Sequence, residues 1–384
     1  MSLPRIAFLN GSGQPGGAEV ALAELARAVP GAEIVLFQEG GAVELLRSRG
    51  LAVSIEALNR KALSNSKESG IPGPGLVLAV LRHAWRLSRL LRGYDLVHCN
   101  NQKAWVVGAF ASALARRPVV WHLHDILSDE HFSRSKIRLG IALSRWRRAK
   151  VVANSRASAE AFVRAGGRAD RVEVLHVPVD PGPLERGHAL ADLRSSIGCP
   201  EGEPLWAIFS RLAEWKGQHV AIEALSLVPR GHLLLVGAPF FGEERWERKL
   251  REQVERLGLG GRVHFLGFRK DIPDLLATVD GTIHSSIAAE PFGLVILEAQ
   301  LAGRPVVATA AGGALEIVQP GIDGWLVPPG EVEALASVLR SWMEDPQAAR
   351  AIGAAAASEA RKRFDRDRIL DRFRAILVEE ARST

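Results

Sequence analysis

The sequence predicts an α/β protein made of two doubly wound domains, each built on a parallel sheet. Short apolar runs alternate with amphipathic segments of about 10 to 15 residues, which is the pattern of successive βα units. The pattern runs through the first half of the chain and then restarts near Leu205. Between the two series, Pro178–Pro183 is rich in Pro and Gly and is typical of a linker. Each half is long enough to bury its own core.

Eleven apolar runs are expected to be strands. Those of the first half are Ile6–Leu9, Ile34–Phe37, Leu96–Cys99, Val119–Leu123 and Val151–Ala153. Those of the second half are Leu205–Phe209, His232–Val236, Val263–Leu266, Gly281–His284, Val306–Ala308 and Trp325–Val327. Only helix is expected after Trp325, and the last helix, Arg366 to Arg382, carries an apolar face that must pack on another surface. We therefore place domains at residues 1–180 and 181–365 and a separate C-terminal helix at 366–384.

Composition excludes several classes of protein. The 384 residues are 47% hydrophobic and 24% charged, which argues against a disordered or collagen-like chain. The two cysteines, Cys99 and Cys199, are too few for a disulfide scaffold or a zinc cluster, so we expect a cytoplasmic protein. No signal peptide is expected, because Pro4 and Arg5 lead directly into a short apolar run. The longest uncharged apolar stretch, Ala104–Ala115, is too short to span a bilayer.

The positive charge is concentrated in one part of the chain. Residues 1–180 hold 25 basic and 15 acidic side chains (+10), whereas the rest hold 24 and 28 (−4). Arg60–Lys150 alone has 17 basic against 5 acidic residues. Within it, Leu81–Arg92 and Arg134–Lys150 are basic amphipathic segments that contain tryptophan, which suits an anionic membrane surface. A solvated helix face explains them equally well, and nucleic acid is a poorer explanation because no recognition motif is present.

The strongest local signal is the segment Glu290–Glu298, which follows an apolar strand and a Ser-Ser loop. Pro291 suits the first turn of a helix, so we expect Glu290 at the helix entrance, next to free N–H groups that attract a diphosphate. Glu298, eight residues later, is expected on the same face about 12 Å along the axis. A nucleotide sugar has about that length between its sugar and its ribose.

A second group of candidate residues follows the first strand of the second half. Arg211 and Lys216 are expected at the carboxyl end of Leu205–Phe209, where both cations can reach one pyrophosphate. Taken alone, the segment is better explained by two solvated loop cations.

Two candidates lie in the first half. Glycines between Gly11 and Gly17 join the first strand to the first helix, where they permit positive φ and a close approach to a ligand. A tight turn without a ligand is an equally good explanation. His124 ends the strand Val119–Leu123, where it could donate to a sugar hydroxyl or a phosphate, and His122 is expected on the same side.

Together these residues resemble the family 4 retaining glycosyltransferases, which have the GT-B architecture of two Rossmann-like domains facing across a cleft. The resemblance runs over almost the whole chain. Its motifs are Gly16-Gly17-Ala18-Glu19, Asp95–His98, His124-Asp125, Ala153–Ser155, Arg211 with Lys216-Gly217, Leu233–Gly237, Phe265–Gly267, Glu290–Glu298, Gly303–Val307, Gly312-Gly313 with Glu316–Val318, and Gly321–Gly330.

The resemblance implies a role for each site residue. Arg211 and Lys216 hold the donor diphosphate, Glu298 the ribose hydroxyls and Glu290 the transferred sugar. Backbone near Gly267 and Phe268 meets the base, while Phe292, Gly293 and Leu294 line the donor loop. His124 and the Gly16-Gly17 loop face the sugar from the acceptor side, so Glu290, His124, Arg211 and Lys216 form the catalytic set.

The resemblance also implies the reaction. A hexose moves from a nucleotide-diphosphate sugar, UDP-linked more readily than GDP-linked, to a hydroxyl of a glycan, glycolipid or lipid-linked acceptor, with retention. The donor phosphate assists deprotonation on the same face of the sugar, and no cofactor or metal is required. The last helix crosses back to the first domain. We place the protein in the cytoplasm, at the inner face of the cell membrane if the basic segments bind lipid.

Two features depart from the family, and two other functions stay open. Val177-Pro178-Val179-Asp180 stands where relatives have Asn-Gly-Val-Asp, and Ser210 stands where they often have glycine. The alternatives are a nucleotide-sugar 2-epimerase of the same fold and a non-catalytic nucleotide-sugar-binding module. Sequence leaves the base, the sugar and the acceptor open, and acceptor choice is expected to depend on first-domain loops such as Asn59–Gly75.

Overall fold

The protein is described by a computed structural model that covers residues 3–58, 74–129, 132–146, 148–240 and 242–382. The chain divides into two compact units. Unit 1 comprises Met1–Pro178 and Arg366–Thr384, and unit 2 comprises Val179–Asp365. Residues 59–73 of the predicted loop Asn59–Gly75 lie outside the described part of the chain.

Unit 1 contains a parallel sheet of seven described strands. They are β1 (Ile6–Asn10), β2 (Glu33–Leu36), β3 (Ala52–Ile55), β4 (Leu96–Cys99), β5 (Val119–Leu123), β6 (Ala149–Ala153) and β7 (Val172–Val174). Their spatial order is β3-β2-β1-β4-β5-β6-β7, the doubly wound Rossmann order with an added edge strand. The helices between them are α1 (Gly17–Arg27), α2 (Gly41–Ser48), α3 (Pro74–Leu91), α4 (Gln102–Ala115), α5 (Arg134–Ser144) and α6 (Arg156–Arg164).

Unit 2 repeats the arrangement with six described strands, β8 (Leu205–Phe209), β9 (His232–Val236), β10 (Val263–Gly267), β11 (Gly281–His284), β12 (Val306–Thr309) and β13 (Trp325–Val327). Their order is β10-β9-β8-β11-β12-β13, and every pairing is parallel. The helices are α7 (Pro181–Glu185), α8 (Leu193–Ser196), α9 (Gln218–Ser226), α10 (Glu244–Arg256), α11 (Ile272–Thr278), α12 (Leu294–Leu301), α13 (Ala314–Ile317), α14 (Val332–Glu344) and α15 (Pro346–Arg363).

The last helix, α16 (Arg366–Arg382), packs on unit 1. Phe373 is fully buried, and its ring centroid lies 5.5 Å from that of His98 and 6.3 Å from that of Phe8. Arg366 donates to the buried Glu24 carboxylate at 2.7 Å. The apolar face predicted for this helix therefore covers the core of the first unit, and the predicted fold class, including the return of the helix, is confirmed.

The strand order locates the functional edge of each unit. In doubly wound sheets, ligands bind beyond the carboxyl ends of the strands, at the point where strand order reverses. In unit 1 this point lies between β1 and β4, and in unit 2 between β8 and β11. The segments Gly11–Gly16, Ser210–Gly217 and Ser285–Gly293 follow these strands directly.

Two strands, β3 and β7, were not predicted from the sequence, and they lie at opposite edges of the first sheet. Neither strand has a fully buried residue. Because an edge strand is partly open to solvent, it lacks the continuous apolar run that identified the central strands.

Candidate functional site

The site of unit 2 is organised around a largely buried ion pair between Lys216 and Glu290. Lys216 follows β8, Glu290 follows β11, and Lys216 Nζ lies 2.6 Å from Glu290 Oε2. Both side chains are only 14% exposed. Two residues that sequence analysis did not select, His284 and Ser286, place polar atoms 3.3 and 3.2 Å from the same oxygen.

Close backbone packing holds the two loops together. Gly217 has φ +66°, and a Cβ there would lie 1.9 Å from the carbonyl oxygen of Ser285, so no other residue fits without displacement. Ser285 Oγ also donates to the Lys216 carbonyl at 3.2 Å. On the other side of Glu290, the N–H of Gly313 donates to its carbonyl at 2.8 Å. Both ends of the ion pair are thus fixed by neighbouring strand-end loops.

Glu290 is ionised in this environment. Burial by itself would raise the pKa of its carboxyl, but the Lys216 ammonium and the hydrogen bond and charge of His284 lower it well below the usual range. The Lys216, His284 and Ser286 contacts all converge on Oε2, and Oε1 has no hydrogen-bond partner within the described ranges. Glu290 therefore presents a free carboxylate oxygen that can accept hydrogen bonds from hydroxyls.

The start predicted for the helix near Glu290 is wrong. α12 begins at Leu294, with Gly293 as N-cap at φ +98°, and Pro291 precedes the helix. Glu290 instead forms a parallel β-bridge with Gly312. Because Gly293 turns the chain only three residues later, Glu290 and Glu298 do not share one continuous helix, and the expected 12 Å separation along an axis does not apply.

Glu298 lies within α12 and is partly exposed. Burial raises the pKa of its carboxyl to about 7. No hydrogen bond or ion pair reaches this carboxylate from any described residue. A mostly buried acid without a partner is costly to ionise, and such a group is a common mark of a ligand site.

Arg211 follows β8 as predicted but has a different acidic partner from Lys216. Its Nε lies 3.2 Å from Glu243 Oε2, a residue that the sequence analysis did not select. The Gln218 amide donates to the Arg211 carbonyl at 2.8 Å and to Ser210 Oγ at 2.9 Å, which fixes the course of this loop. The two cations are thus held in one strand-end loop, each neutralised by its own carboxylate.

The other residues predicted to bind the donor, Gly267, Phe268 and Phe292, differ in their exposure to solvent. Gly267, at the end of β10, has φ +66°, and its carbonyl accepts from the Gly237 N–H at 2.8 Å. The next side chain, Phe268, is 50% exposed and contacts Phe240 edge-on at 6.3 Å between ring centroids. Phe292 is buried against Phe364, so it supports the loop from the core.

The glycine loop of unit 1 is closely packed and does not use positive φ. Neither Gly16 (φ −155°) nor the other glycines between Gly11 and Gly17 fall in the left-handed region. Glycine is required for space instead: a Cβ at Gly13 would lie 2.2 Å from the Glu39 carbonyl oxygen, and one at Gly11 2.5 Å from Lys103 Cβ.

His124 belongs to a polar network at the carboxyl edge of the first sheet. His124 Nε2 lies 3.1 Å from Asn100 Oδ1, and Asn100 donates to Asn10 Oδ1 at 3.2 Å. Asn10 donates in turn to Glu19 Oε1 at 3.2 Å. Burial raises the pKa of Glu19 to about 7. Neither asparagine was predicted from the sequence, although a polar residue directly after each apolar strand was a usable signal.

His122 shares a side with His124, as the strand pleat predicts. Their rings stack with centroids 4.3 Å apart, but His122 is fully buried and its Nδ1 lies 3.2 Å from His98 Nε2. It therefore lies in the core beneath His124 and does not reach the edge where ligands bind.

Neither a metal site nor a membrane-spanning helix is found among the described residues. No group of three or more His, Cys, Asp or Glu there is arranged to hold a metal ion. Likewise, no described helix combines the length and the hydropathy needed to cross a membrane.

Comparison with known families gives two matches along the chain. Residues 15–182 match the family described as Glycosyltransferase Family 4, and residues 191–359 match the family described as Glycosyl transferases group 1. Among solved structures, HepE of Anabaena in complex with UDP-glucose is 40% identical, with a TM-score of 0.88 over 98% of this chain and 100% of that chain.

Curated relatives are more distant. The lipopolysaccharide core biosynthesis glycosyltransferase LpsE of Rhizobium meliloti is 32% identical over 192 residues, which is 50% of this chain and 55% of that protein. The D-inositol 3-phosphate glycosyltransferase of Xylanimonas cellulosilytica is 29% identical over 399 aligned residues, 95% of this chain and 94% of that one.

Proposed function

Since this chain belongs to glycosyltransferase family 4, we propose that it transfers a hexose from a UDP-sugar to a hydroxyl of a glycan, glycolipid or lipid-linked acceptor with retention of configuration. The observation that carries this proposal is the Lys216–Glu290 pair at the strand-order reversal of unit 2. It joins a cation suited to a diphosphate and a carboxylate suited to sugar hydroxyls in one polar cluster.

The choice of donor is supported by a relative. HepE of Anabaena, which is 40% identical over nearly the whole chain, has been crystallised with UDP and with UDP-glucose. The free Oε1 of Glu290 is suited to accept from hydroxyls of the transferred sugar. In the proposed complex the ribose hydroxyls donate to Glu298, which has no partner of its own among the described residues, and backbone at Gly267 with the exposed Phe268 ring meets the base.

Arg211 and Lys216 are proposed to neutralise the donor diphosphate without a metal ion. Both are held on the loop after β8, and each is paired with a carboxylate that a diphosphate can replace as partner. Leu294 and Gly293, at the start of α12, add backbone N–H groups without partners inside the helix. Activity that is unchanged by EDTA and by added Mg²⁺ is the expected result.

In the proposed reaction, the bond between the anomeric carbon and the phosphate oxygen breaks and a bond from that carbon to the acceptor oxygen forms on the same face. The departing phosphate takes the proton of the acceptor hydroxyl. Arg211 and Lys216 stabilise the charge that develops on this leaving group. Glu290 orients the transferred sugar. The roles of His124 and the Gly16-Gly17 loop in unit 1, as contacts to sugar hydroxyls, are carried over from the family.

The donor proposal is tested with a thermal-shift panel of UDP, GDP, ADP and their sugars. UDP and a UDP-hexose are expected to raise Tm more than the other nucleotides. Glu298→Ala should weaken UDP binding by about 1 to 3 kcal/mol, because it removes a charged hydrogen-bond acceptor. Glu252→Ala is the matched control, since Glu252 is an exposed glutamate on a helix of the same unit. Equal UDP affinity of Glu298→Ala and Glu252→Ala would contradict the assignment.

Two alternatives have distinct signatures. A 2-epimerase would convert a UDP-sugar without any acceptor, and a binding module would leave it unchanged even with one. Incubation of UDP-glucose alone and with a panel of glycan and glycolipid acceptors separates all three functions.

The basic helix α3 supports a further proposal, peripheral docking to anionic membrane. Its solvent face exposes Leu78, Leu81 and Trp85, and Pro74–Leu91 contains no acidic residue. The Arg89 guanidinium lies 3.8 Å from the Trp85 ring centroid, so charge and aromatic anchor form one surface. The second predicted segment, Arg134–Lys150, contributes α5, while its Arg147 lies outside the described residues. Such docking would bring the protein to the inner face of the cell membrane.

A further inference from the structure

The side chain of His124 is anchored by a chain of three asparagines whose hydrogen bonds have only one consistent assignment. The chain begins at Asn101 Oδ1, which accepts from the backbone N–H groups of Gly11 and Ala104 at 3.2 and 2.9 Å. Backbone N–H groups can only donate, so this atom must be oxygen. The Asn101 amide nitrogen therefore faces Asn10 Oδ1, at 2.7 Å.

The next two links follow from the first. Asn10 Oδ1 accepts from both Asn101 and Asn100, and Asn10 Nδ2 donates to the Ser12 carbonyl at 2.8 Å. Asn100 Nδ2 also donates to the Ala18 carbonyl at 3.0 Å, and a carbonyl can only accept. Both amides are fully buried, so reversing either one would leave donors facing donors without water to compensate.

This assignment leaves Asn100 Oδ1 facing His124 Nε2 at 3.1 Å, so Nε2 must carry the proton. We propose that Asn10 and Asn100 are positioning residues that hold His124 as the Nε2-protonated tautomer, so that its Nδ1 accepts a hydrogen bond from a ligand hydroxyl. The expectation that His124 donates to a phosphate is then reversed, because a phosphate oxygen has no proton to offer. Naming the ligand group as a sugar hydroxyl rests on the proposed function, whereas the tautomer does not.

Two further observations agree with this role. His124 is partly exposed, and no described residue makes a hydrogen bond to its Nδ1. Burial lowers the pKa of His124 to about 4, so the ring is neutral at pH 7 and has one acceptor nitrogen. The buried His122 ring stacked beneath it restricts rotation of the imidazole.

The tautomer is measured by long-range ¹H–¹⁵N NMR of the full chain, labelled with ¹⁵N-histidine and free of ligand. The His124 signals are identified by their loss in His124→Gln. The wild-type ring is expected to be Nε2-protonated. Asn100→Leu, which removes both polar atoms at similar size, should move the two ring ¹⁵N shifts toward each other as tautomers mix. Asn154→Ala is the control, because the Asn154 side chain reaches His124 only at its backbone carbonyl, at 3.5 Å, and makes its other hydrogen bond to Ser158.

An Nδ1-protonated ring in the wild type, or ring shifts in a folded Asn100→Leu equal to those of the wild type, would overturn the proposal. Asn100→Asp covers the case in which Asn100→Leu does not fold. Its carboxylate still accepts from Nε2–H and adds a negative charge, so the pKa of His124 should rise, and an unchanged titration would count against the role of Asn100. UDP-glucose should shift the Nδ1 resonance while the proton stays on Nε2. If UDP-glucose does not bind, the proposed donor is wrong, but the ligand-free spectra still decide the tautomer.

Discussion

Lys216 Nζ and Glu290 Oε2 lie 2.6 Å apart although 74 residues separate them in the chain. The contact exists because β8 and β11, which carry these residues at their ends, are neighbours in the sheet. Both residues were predicted from the sequence as site residues, but for different parts of a ligand. The structure shows that they neutralise each other.

Lys216→Met should destabilise unit 2 by about 3 kcal/mol. The substitution leaves the buried Glu290 carboxylate without its cation, and breaking a buried pair from one side costs much more than losing a surface pair. Hydrogen exchange of β8 and β11 measures the loss locally. Lys249→Met is the control, because Lys249 is an exposed lysine of the same unit. This substitution should change the free energy of unfolding by no more than about 0.5 kcal/mol.

The effect of Lys216→Met should depend on pH. Because the pKa of Glu290 is lowered in the folded chain, its stabilisation is complete above the ordinary value of 4.5 and is lost as the pH falls. The difference in free energy of unfolding between Lys216→Met and wild type should therefore become smaller at acidic pH. A difference that is constant between pH 7 and pH 3 would contradict the ion-pair explanation.

Glu298→Gln should stabilise the ligand-free protein at alkaline pH. The pKa of Glu298 is raised from 4.5 to about 7, so the folded state binds more protons than the unfolded state between these values. Stability of the wild type must then fall as the pH rises through this window, by up to roughly 3 kcal/mol. Glutamine has no charge to bury, so the free energy of unfolding of the variant should exceed that of the wild type at pH 8 and match it near pH 4. Urea unfolding at both pH values, with Glu252→Gln as the exposed control, measures the difference.

Gly217→Ala should weaken UDP binding more than Gly258→Ala. Both glycines have nearly the same φ, +66° and +67°, so alanine has a similar backbone cost of about 1 kcal/mol at each. Only Gly217 also lacks space, since its Cβ would meet the Ser285 carbonyl oxygen at 1.9 Å, whereas nothing lies within 4 Å at Gly258. Gly217→Ala should therefore displace the Lys216 loop and weaken UDP binding, as measured by titration calorimetry. Equal UDP affinities in the two variants would show that the close approach is not required.

Replacing Arg82, Arg86 and Arg89 of α3 by glutamine should weaken binding to vesicles containing phosphatidylglycerol. Each arginine near an anionic surface contributes about 1 kcal/mol to membrane binding, so the vesicle affinity of the triple variant should fall roughly a hundredfold at low salt. Arg245→Gln with Arg248→Gln, on the exposed face of α10, is the control and should leave binding unchanged. If wild type does not sediment with these vesicles, the membrane proposal is wrong.

The central strands and the site loops were predictable from the sequence because both have local signals. Buried parallel strands are continuous apolar runs, and the polar or glycine-rich segments that follow them mark the carboxyl edge of the sheet. Local patterns failed where the chain departs from regular spacing. The helix near Glu290 starts at Leu294 because Gly293 turns the chain, and the edge strands β3 and β7 lack an apolar run.

By itself the sequence determined the fold class and the family, since both depend on residue type and order along the chain. Which side chains act together was decided only by the tertiary structure. Burial and a neighbour 74 residues away set the charge of Glu290, and burial alone raises the pKa of Glu298. The Asn10–Asn100–His124 chain likewise exists only because β1, β4 and β5 lie side by side. Distance and exclusion of water, which control these interactions, are properties of the packed chain.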